Sequence, residues 1–283
     1  MDKQIQQFPA MKKGIFNLLS MSILFFANQG YAQQINSHLQ ANSTLQNHVS
    51  SILKENIKKI DAINGQIIIM DCKSGKIKAM VNLMNTKSGI KPAIRQLSEP
   101  TALMRTVSLL AVLEQGKVNL NDSIDTKAGM LDINGYLLKY YNWLRGGNGK
   151  TSVQQGFLLS SNIATYLTVK QAFGKEYDRF YKAITNMGYG LPQNSFKAIL
   201  PSPYNDISLA KFVNGKNQQI SPLQILTFYN AIANNGKLMR PRFVKKVSKG
   251  GLTIMEFPPE PMKGYEQICK PRTVKLMQEV LRK

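Results

Sequence analysis

Histidine is nearly missing from this sequence: only His38 and His48 occur, and both lie near the start of the chain. Ser-His-Asp triads, Cys-His pairs and most zinc sites require histidine beside other functional groups. These catalytic and metal-binding classes are therefore excluded for the rest of the chain. The sequence also lacks a glycine-rich phosphate loop. We expect neither a metal ion nor a cofactor.

Cysteine is equally scarce, with Cys72 and Cys269 far apart in the sequence. An exported protein could join them in a disulfide, whereas two lone cysteines are more typical of buried thiols. The sequence leaves their disulfide state open.

Acidic residues are few: the sequence contains 16 Asp and Glu and 37 Lys and Arg, which gives a net charge of +21. Such an excess in a cytosolic protein suggests nucleic acid. Here the basic residues are dispersed, and neither an arginine-rich arm nor a basic–aromatic motif occurs. We therefore expect no nucleic-acid partner, and favour anionic wall polymers and membrane surfaces.

Long apolar runs are also rare, and the one near the N-terminus resembles a secretory signal. Lys12 and Lys13 precede the apolar stretch Ile15–Phe26, and Gly30-Tyr31-Ala32 fits a cleavage site. We predict a signal peptide over residues 1–32, with Met11 as an alternative start, and export to the periplasm or cell envelope. Cleavage would leave a protein that is not integral to the membrane. The stretch is short for a membrane span, but an uncleaved anchor remains the open alternative.

The remaining chain is predicted to form a lead-in over residues 33–63 and one domain over residues 64–283. In the lead-in, a helix is expected to bury Leu45, Val49, Ile52, Ile57 and Ile60. The other expected elements are strands at 65–71, 77–81, 241–246 and 252–257, helices at 99–117, 151–172, 175–187 and 223–234 and from 271, a loop at 83–98, an irregular excursion at 118–150 and a loop-rich segment at 191–219.

The segment 99–117 is predicted to be the central helix of the core. Glu99-Pro100-Thr101 suits a helix start, and Gly116 suits a helix stop. Apolar residues occupy almost every position between Leu103 and Leu113, so the helix should be buried on nearly all sides. Spacing alone places Arg105 on the surface.

Four stretches, taken in order, resemble the transpeptidase domain of penicillin-binding proteins, the serine acyl-transfer enzymes that cross-link peptidoglycan. They read GQIIIMDCKSGKIKAM, QLSEPTALMRTVSLLAVLEQGKV, LLSSNIATYLTVKQAFG and ISPLQILTFYNAIANNGKLMRPRFVKKV. The resemblance runs from about Gly65 to Lys283. It implies an α+β fold of the β-lactamase and D,D-transpeptidase superfamily, with an antiparallel sheet flanked by helices.

The resemblance also implies three motifs, S-x-x-K, S-x-N and K-T-G. Alignment on Glu99-Pro100 places Ala102 at the position of the nucleophilic serine and Arg105 at that of the lysine. A methyl group cannot attack a carbonyl, and arginine does not give up its proton in proteins. We therefore expect no intact catalytic residue.

The second motif is present as Ser160-Ser161-Asn162. Ser160 and Asn162 are predicted to line a substrate-binding cleft with Arg105, whose donors suit a carboxylate. A polar break between two helices is the alternative interpretation.

The third motif is missing, because neither K-T-G nor K-S-G follows Arg240. The C-terminal sheet strands of the family are therefore expected to be absent, which would leave the 65–81 hairpin with an unpaired edge. Either a protein partner completes the sheet, or the sequence is a truncated product.

These observations predict a catalytically inactive penicillin-binding-protein homologue at the cell wall. Its ligand would be a peptidoglycan stem peptide or another wall component, and its role binding or scaffolding. Two alternatives stay open: a truncated non-functional product, or an active D,D-transpeptidase or carboxypeptidase that uses one of the serines Ser51, Ser88, Ser98 and Ser160. Ser51 and Ser88 begin further S-x-x-K patterns, which end at Lys54 and Lys91.

Overall fold

A computed structural model describes residues 36–39, 43–87, 89–92, 97–192, 197–249 and 252–283. The predicted signal at 1–32 and the candidate Ser88 lie outside these residues, as does part of the 33–63 lead-in. Across the described residues, none of the helices has the length and apolar content needed to span a bilayer.

The structure alternates helices with short antiparallel strands. The strands are β1 Asn36–Leu39, β2 Asn64–Met70, β3 Ile77–Thr86, β4 Gly89–Pro92, β5 Ser123–Asp125, β6 Met130–Ile133, β7 Tyr136–Lys139, β8 Lys150–Ser152, β9 Val244–Lys249 and β10 Leu252–Glu256. The helices are α1 Ser43–Lys59, α2 Met104–Gln115, α3 Val153–Leu158, α4 Asn162–Phe173, α5 Tyr177–Asn186, α6 Asp206–Val213, α7 Pro222–Ala233 and α8 Pro271–Leu281, with 3₁₀ turns at Thr101–Leu103 and Trp143–Arg145.

The sheet β2–β3–β4 carries helix α1 on one face. Residues Val49, Leu53 and Ile57 of α1 are buried against apolar side chains of β3. Their spacing of four residues places them on one stripe of the helix. The predicted burial of Ile52 and Ile60 is wrong, because Ile52 lies off this stripe and Ile60 follows the end of the helix.

Several predicted loops contain regular structure. The loop at 83–98 is wrong in part, since β3 continues to Thr86 and pairs with β4. The excursion at 118–150 contains the β6–β7 hairpin and the β5–β8 pair. Helix α6 lies in the segment expected to be loop, and it buries Leu209, Ala210, Phe212 and Val213. β9 pairs with both β1 and β10 in a separate sheet.

Helix α2 is the centre of the core, as predicted. Its residues 106–113 are all buried, and it packs against α4, α5, α6 and α8. Gly116 ends the helix in the left-handed conformation with φ of 71°. The prediction of its start is wrong by one turn, because the 3₁₀ turn precedes the first α-helical residue, Met104.

The neighbouring helices have clear local signals. Ser221 caps α7 in a capping box with Gln224, and Pro222 occupies the first turn, as their residue types favour. The predicted helix at 151–172 is instead two helices, because Ser161 caps a new helix in the middle. The α+β fold with antiparallel sheets flanked by helices is confirmed.

Candidate functional site

The first wall of the candidate site is the chain that leads into α2. Glu99 accepts hydrogen bonds from Lys216 Nζ and from the backbone N–H of Asn217, both at 2.9 Å. The bond from Lys216 is the main reason that the pKa of Glu99 is lowered. The Thr101 backbone N–H donates to the Gly215 carbonyl at 3.3 Å. The segment before α2 is thereby fixed to the loop after α6. Ala102 is exposed on the 3₁₀ turn that leads from this segment into α2.

Arg105 lies one turn further along and is half-buried, so the expectation of a surface-facing side chain is wrong. Its Nη1 donates to the Ser160 carbonyl oxygen at 3.0 Å. Burial lowers the pKa of Arg105, but a guanidinium remains charged at neutral pH. None of the ion pairs among the described residues involves it. Arg105 is therefore a partly desolvated cation without a counter-ion in this part of the chain.

The Ser160-Ser161-Asn162 segment forms the facing wall, at the break between α3 and α4. Ser160 is exposed and has φ of 60°, a left-handed conformation that is uncommon for serine. Ser161 is buried, and its hydroxyl accepts from the Ala164 N–H at 3.2 Å. The Asn162 carbonyl accepts from Asn214 Nδ2 at 3.4 Å. Ser161 thus has a structural role as a cap, while Ser160 contacts Arg105 through its backbone carbonyl.

Two tyrosines brace the site, and the sequence patterns did not indicate either. Tyr140 donates from its hydroxyl to the Leu159 carbonyl at 2.6 Å, and Tyr229 donates to the Leu103 carbonyl at 2.8 Å. Burial raises the pKa of both phenols, so both are neutral donors at neutral pH. Neither tyrosine belongs to a spaced motif. The one signal for Tyr229 is that it carries a polar hydroxyl within the largely apolar helix α7.

A small cavity lies beneath the guanidinium of Arg105. Its volume is about 10 Å³, close to the minimum that holds one water molecule. Its lining includes Ser108, Phe157, Thr165 and Thr168. The cavity is therefore too small for a ligand larger than water.

The alternative serines have other surroundings. Ser51 lies in α1 on the solvent side, and its hydroxyl donates to the Asn47 carbonyl at 3.1 Å. Ser98 forms an isolated antiparallel bridge with Ile220 through its backbone. Neither hydroxyl has a hydrogen bond to a lysine among the contacts of the described residues. The described residues also contain no cluster of His, Cys, Asp or Glu that could hold a metal ion.

The two cysteines are free thiols. Cys269 is buried beside α8, and burial raises its pKa to about 12. Cys72 is half-buried after β2.

Comparisons with known proteins match most of the chain. The family model described as the penicillin binding protein transpeptidase domain matches residues 65–283. The Penicillin-binding protein PbpB of Mycobacterium tuberculosis is 28% identical over 227 residues, which are 71% of this chain and 32% of that protein. The probable peptidoglycan D,D-transpeptidase PbpC of Pseudomonas aeruginosa is 23% identical over 205 residues, 66% of this chain and 35% of that protein. The chain thus spans about a third of the length of these curated relatives.

Solved structures share the fold. The apo transpeptidase domain of Burkholderia pseudomallei penicillin-binding protein 3 superposes with a TM-score of 0.67 at 21% identity, over 90% of this chain and 71% of that one. Penicillin-binding protein 2B of Streptococcus pneumoniae gives a TM-score of 0.75 at 14% identity, over 87% of this chain and 46% of that one. At such identities the structures establish the fold, while the family model covers most of the chain. The chain belongs to the family of penicillin-binding-protein transpeptidase domains.

Proposed function

We propose that this protein binds a peptidoglycan carboxylate through Arg105 and does not perform serine acyl transfer. The observation that carries the proposal is the state of Arg105, a half-buried guanidinium that has one hydrogen bond, to Ser160, and no counter-ion among the described residues. An unpaired cation out of bulk water is costly. A carboxylate ligand would compensate that cost with two parallel hydrogen bonds.

The lack of acyl transfer follows from the side chains at the helix start. Alignment on Glu99-Pro100 assigns Ala102 to the nucleophile position and Arg105 to that of the base. Alanine has no nucleophilic atom, and arginine cannot accept a proton because it is already fully protonated. The same substitution that removes the base supplies the anion-binding group. We therefore interpret this site as a binding site derived from a catalytic one.

The ligand class follows from the family and from the site. A stem peptide ends in a free carboxylate, which would meet Arg105, while Ser160 and Asn162 would line the cleft beside its amide groups. The location would be the cell envelope, reached through the signal over residues 1–32, with residues 33–63 leading into a domain over residues 64–283. A scaffold role would use the same binding without turnover.

The first experiment is intact-mass spectrometry of the folded protein after incubation with benzylpenicillin. We expect the mass to remain unchanged, because Ala102 cannot form an acyl ester. An increase of one ligand mass would refute the inactive assignment. Peptide mapping would then identify the reactive serine, with Ser51, Ser88, Ser98 and Ser160 as the candidates.

The second experiment is calorimetric titration with a stem peptide that ends in a free carboxylate, beside the same peptide ending in an amide. We expect Arg105→Ala to weaken binding of the free acid about tenfold or more, since a hydrogen bond to a charged group contributes about 1.5–3 kcal/mol. The amide peptide should bind weakly to both proteins. Arg282→Ala, at an exposed position near the end of the chain, is the matched control and should bind like the parent. Equal binding of the free acid by the parent and by Arg105→Ala would contradict the proposed role.

A further inference from the structure

An exposed aromatic and basic patch lies beside the candidate site. The patch consists of the half-buried Trp143 and of five exposed residues, Leu137, Lys139, Tyr141, Leu144 and Arg145. Tyr141 is 79% exposed and Leu144 is 77% exposed, while Leu137 is 46% exposed. Single exposed apolar residues are ordinary, but several together on one surface indicate a binding function.

The fold holds these side chains outward on a fixed frame. In the β6–β7 hairpin, Leu138 is buried, so its neighbours Leu137 and Lys139 point to the opposite, solvent-facing side. The Tyr140 ring lies 4.4 Å from the Tyr141 ring, and the Tyr140 hydroxyl is bonded to the Leu159 carbonyl. The patch is therefore connected to the wall of the site that contains Ser160.

A close backbone approach fixes the other end of the patch. A Cβ atom on Gly147 would lie 2.2 Å from the Gly129 nitrogen, so the turn after Arg145 packs directly on the turn before β6. Lys139 Nζ lies 4.3 Å from the centre of the Trp143 ring, within the range of a cation–π contact. The exposed residues thus belong to a packed substructure.

The charge around the patch is mainly positive, although the exposed Asp132 pairs with Leu137 across the hairpin. The sequence contains no Asp or Glu from residue 133 to residue 175, while the same stretch contains Lys139, Arg145, Lys150, Lys170 and Lys175. Among the described residues, Lys170 is paired with Asp206, but Lys139, Arg145 and Lys150 are in none of the ion pairs. The patch therefore combines apolar side chains with two cations, Lys139 and Arg145, that are in none of these ion pairs.

We propose that this patch docks the protein on the surface of an anionic lipid bilayer. Tyr141 and Leu144 would enter the boundary between headgroups and acyl chains, where aromatic and aliphatic side chains are stabilised. Lys139 and Arg145 would contact lipid phosphates, as basic residues at a membrane interface do. Docking would bring the Arg105 site close to the membrane surface. The inference rests on the patch alone, and it is independent of the function proposed for Arg105.

Trp143 makes the inference directly measurable, because it is the single tryptophan of the chain. The full-length protein would be mixed with vesicles of phosphatidylcholine, with or without phosphatidylglycerol, that contain brominated acyl chains. We expect quenching and a blue shift of the Trp143 emission with the anionic vesicles only, and loss of both at high salt. Binding that leaves Trp143 unquenched would show that another part of the chain contacts lipid, and would overturn the proposal.

The variants test which side chains insert. The double variant Tyr141→Ser and Leu144→Ser should reduce partitioning into anionic vesicles about tenfold or more, since it removes two apolar side chains from the interface. The matched control is Tyr204→Ser with Leu252→Ser, because these positions are 79% and 76% exposed and lie outside the patch. The control should partition like the parent. Equal partitioning by both double variants would overturn the assignment of the patch, as would binding of a protein ligand at this surface without any response to lipid.

Discussion

Replacement of Gly215 by alanine adds only one methyl group, but it should disturb the turn that leads into the candidate site. A Cβ atom built on Gly215 would lie 2.3 Å from the Thr101 carbonyl oxygen and 2.4 Å from the Thr101 nitrogen. Both are backbone atoms of the turn that leads into α2, so neither can rotate away. The chain at Thr101 must move, and the turn that carries Ala102 moves with it.

Gly116 provides a matched reference for the magnitude. Gly215 and Gly116 have φ of 74° and 71°, so alanine is equally unfavourable in the backbone of each. That conformational cost is about 1–2 kcal/mol. A Cβ on Gly116 meets no atom within 4 Å, whereas steric overlap in a packed site costs about a further 1–3 kcal/mol. We expect Gly116→Ala to lower the free energy of unfolding by about 1–2 kcal/mol and Gly215→Ala by about 2–5 kcal/mol.

Equilibrium unfolding in urea, followed by far-UV circular dichroism, would measure both variants against the parent. Peptide binding at Arg105 should weaken in Gly215→Ala and be retained in Gly116→Ala, because only the former shifts the turn at Thr101. Equal losses of stability in the two variants would refute the reasoning, since the close contact with Thr101 is the single difference it uses.

Three further predictions concern the core, the charges and the chemistry. Phe180→Ala should lower the free energy of unfolding by about 3–5 kcal/mol in urea titrations, because Phe180 is fully buried between Phe173 and Phe212. Burial by itself would raise the pKa of Asp206, but hydrogen bonds from Lys170 and Tyr177 outweigh it and lower the pKa. Asp206→Asn should therefore reduce the melting temperature at neutral pH, and the difference from the parent should shrink as the pH falls through the folded-state pKa of Asp206; a difference independent of pH would contradict this account. Ala102→Ser alone should remain unlabelled by benzylpenicillin in intact-mass spectra, because Arg105 cannot accept the serine proton. Labelling of this single variant would show that the base lies elsewhere. The double variant Ala102→Ser with Arg105→Lys has a lysine that can accept the proton, and it should be labelled slowly.

Much of the fold was predictable from local patterns. The near-continuous apolar run of α2 indicated a helix buried on all sides, and burial of residues 106–113 agrees. Gly116 and the Ser221-Pro222 pair marked helix ends because their backbone preferences act within a few residues. Order and spacing of such local signals were also sufficient for the family to be recognised.

Other features could not be predicted because they depend on residues that meet only in the folded chain. Helical spacing predicted that Arg105 lies on the surface. In the fold, however, its Nη1 lies 3.0 Å from the carbonyl oxygen of Ser160. Helix α6 was missed because loop-like residues surround its short apolar core.

The exposure of the patch is a similar case. Nothing in the sequence around Tyr141 and Leu144 distinguishes them from buried apolar residues, yet in the folded chain they are 79% and 77% exposed. Local sequence specifies where helices and strands begin and end, because backbone preference and side-chain periodicity are short-range. Which polar group meets which cation, and which apolar side chain stays uncovered, follows from long-range packing that only the complete fold brings about.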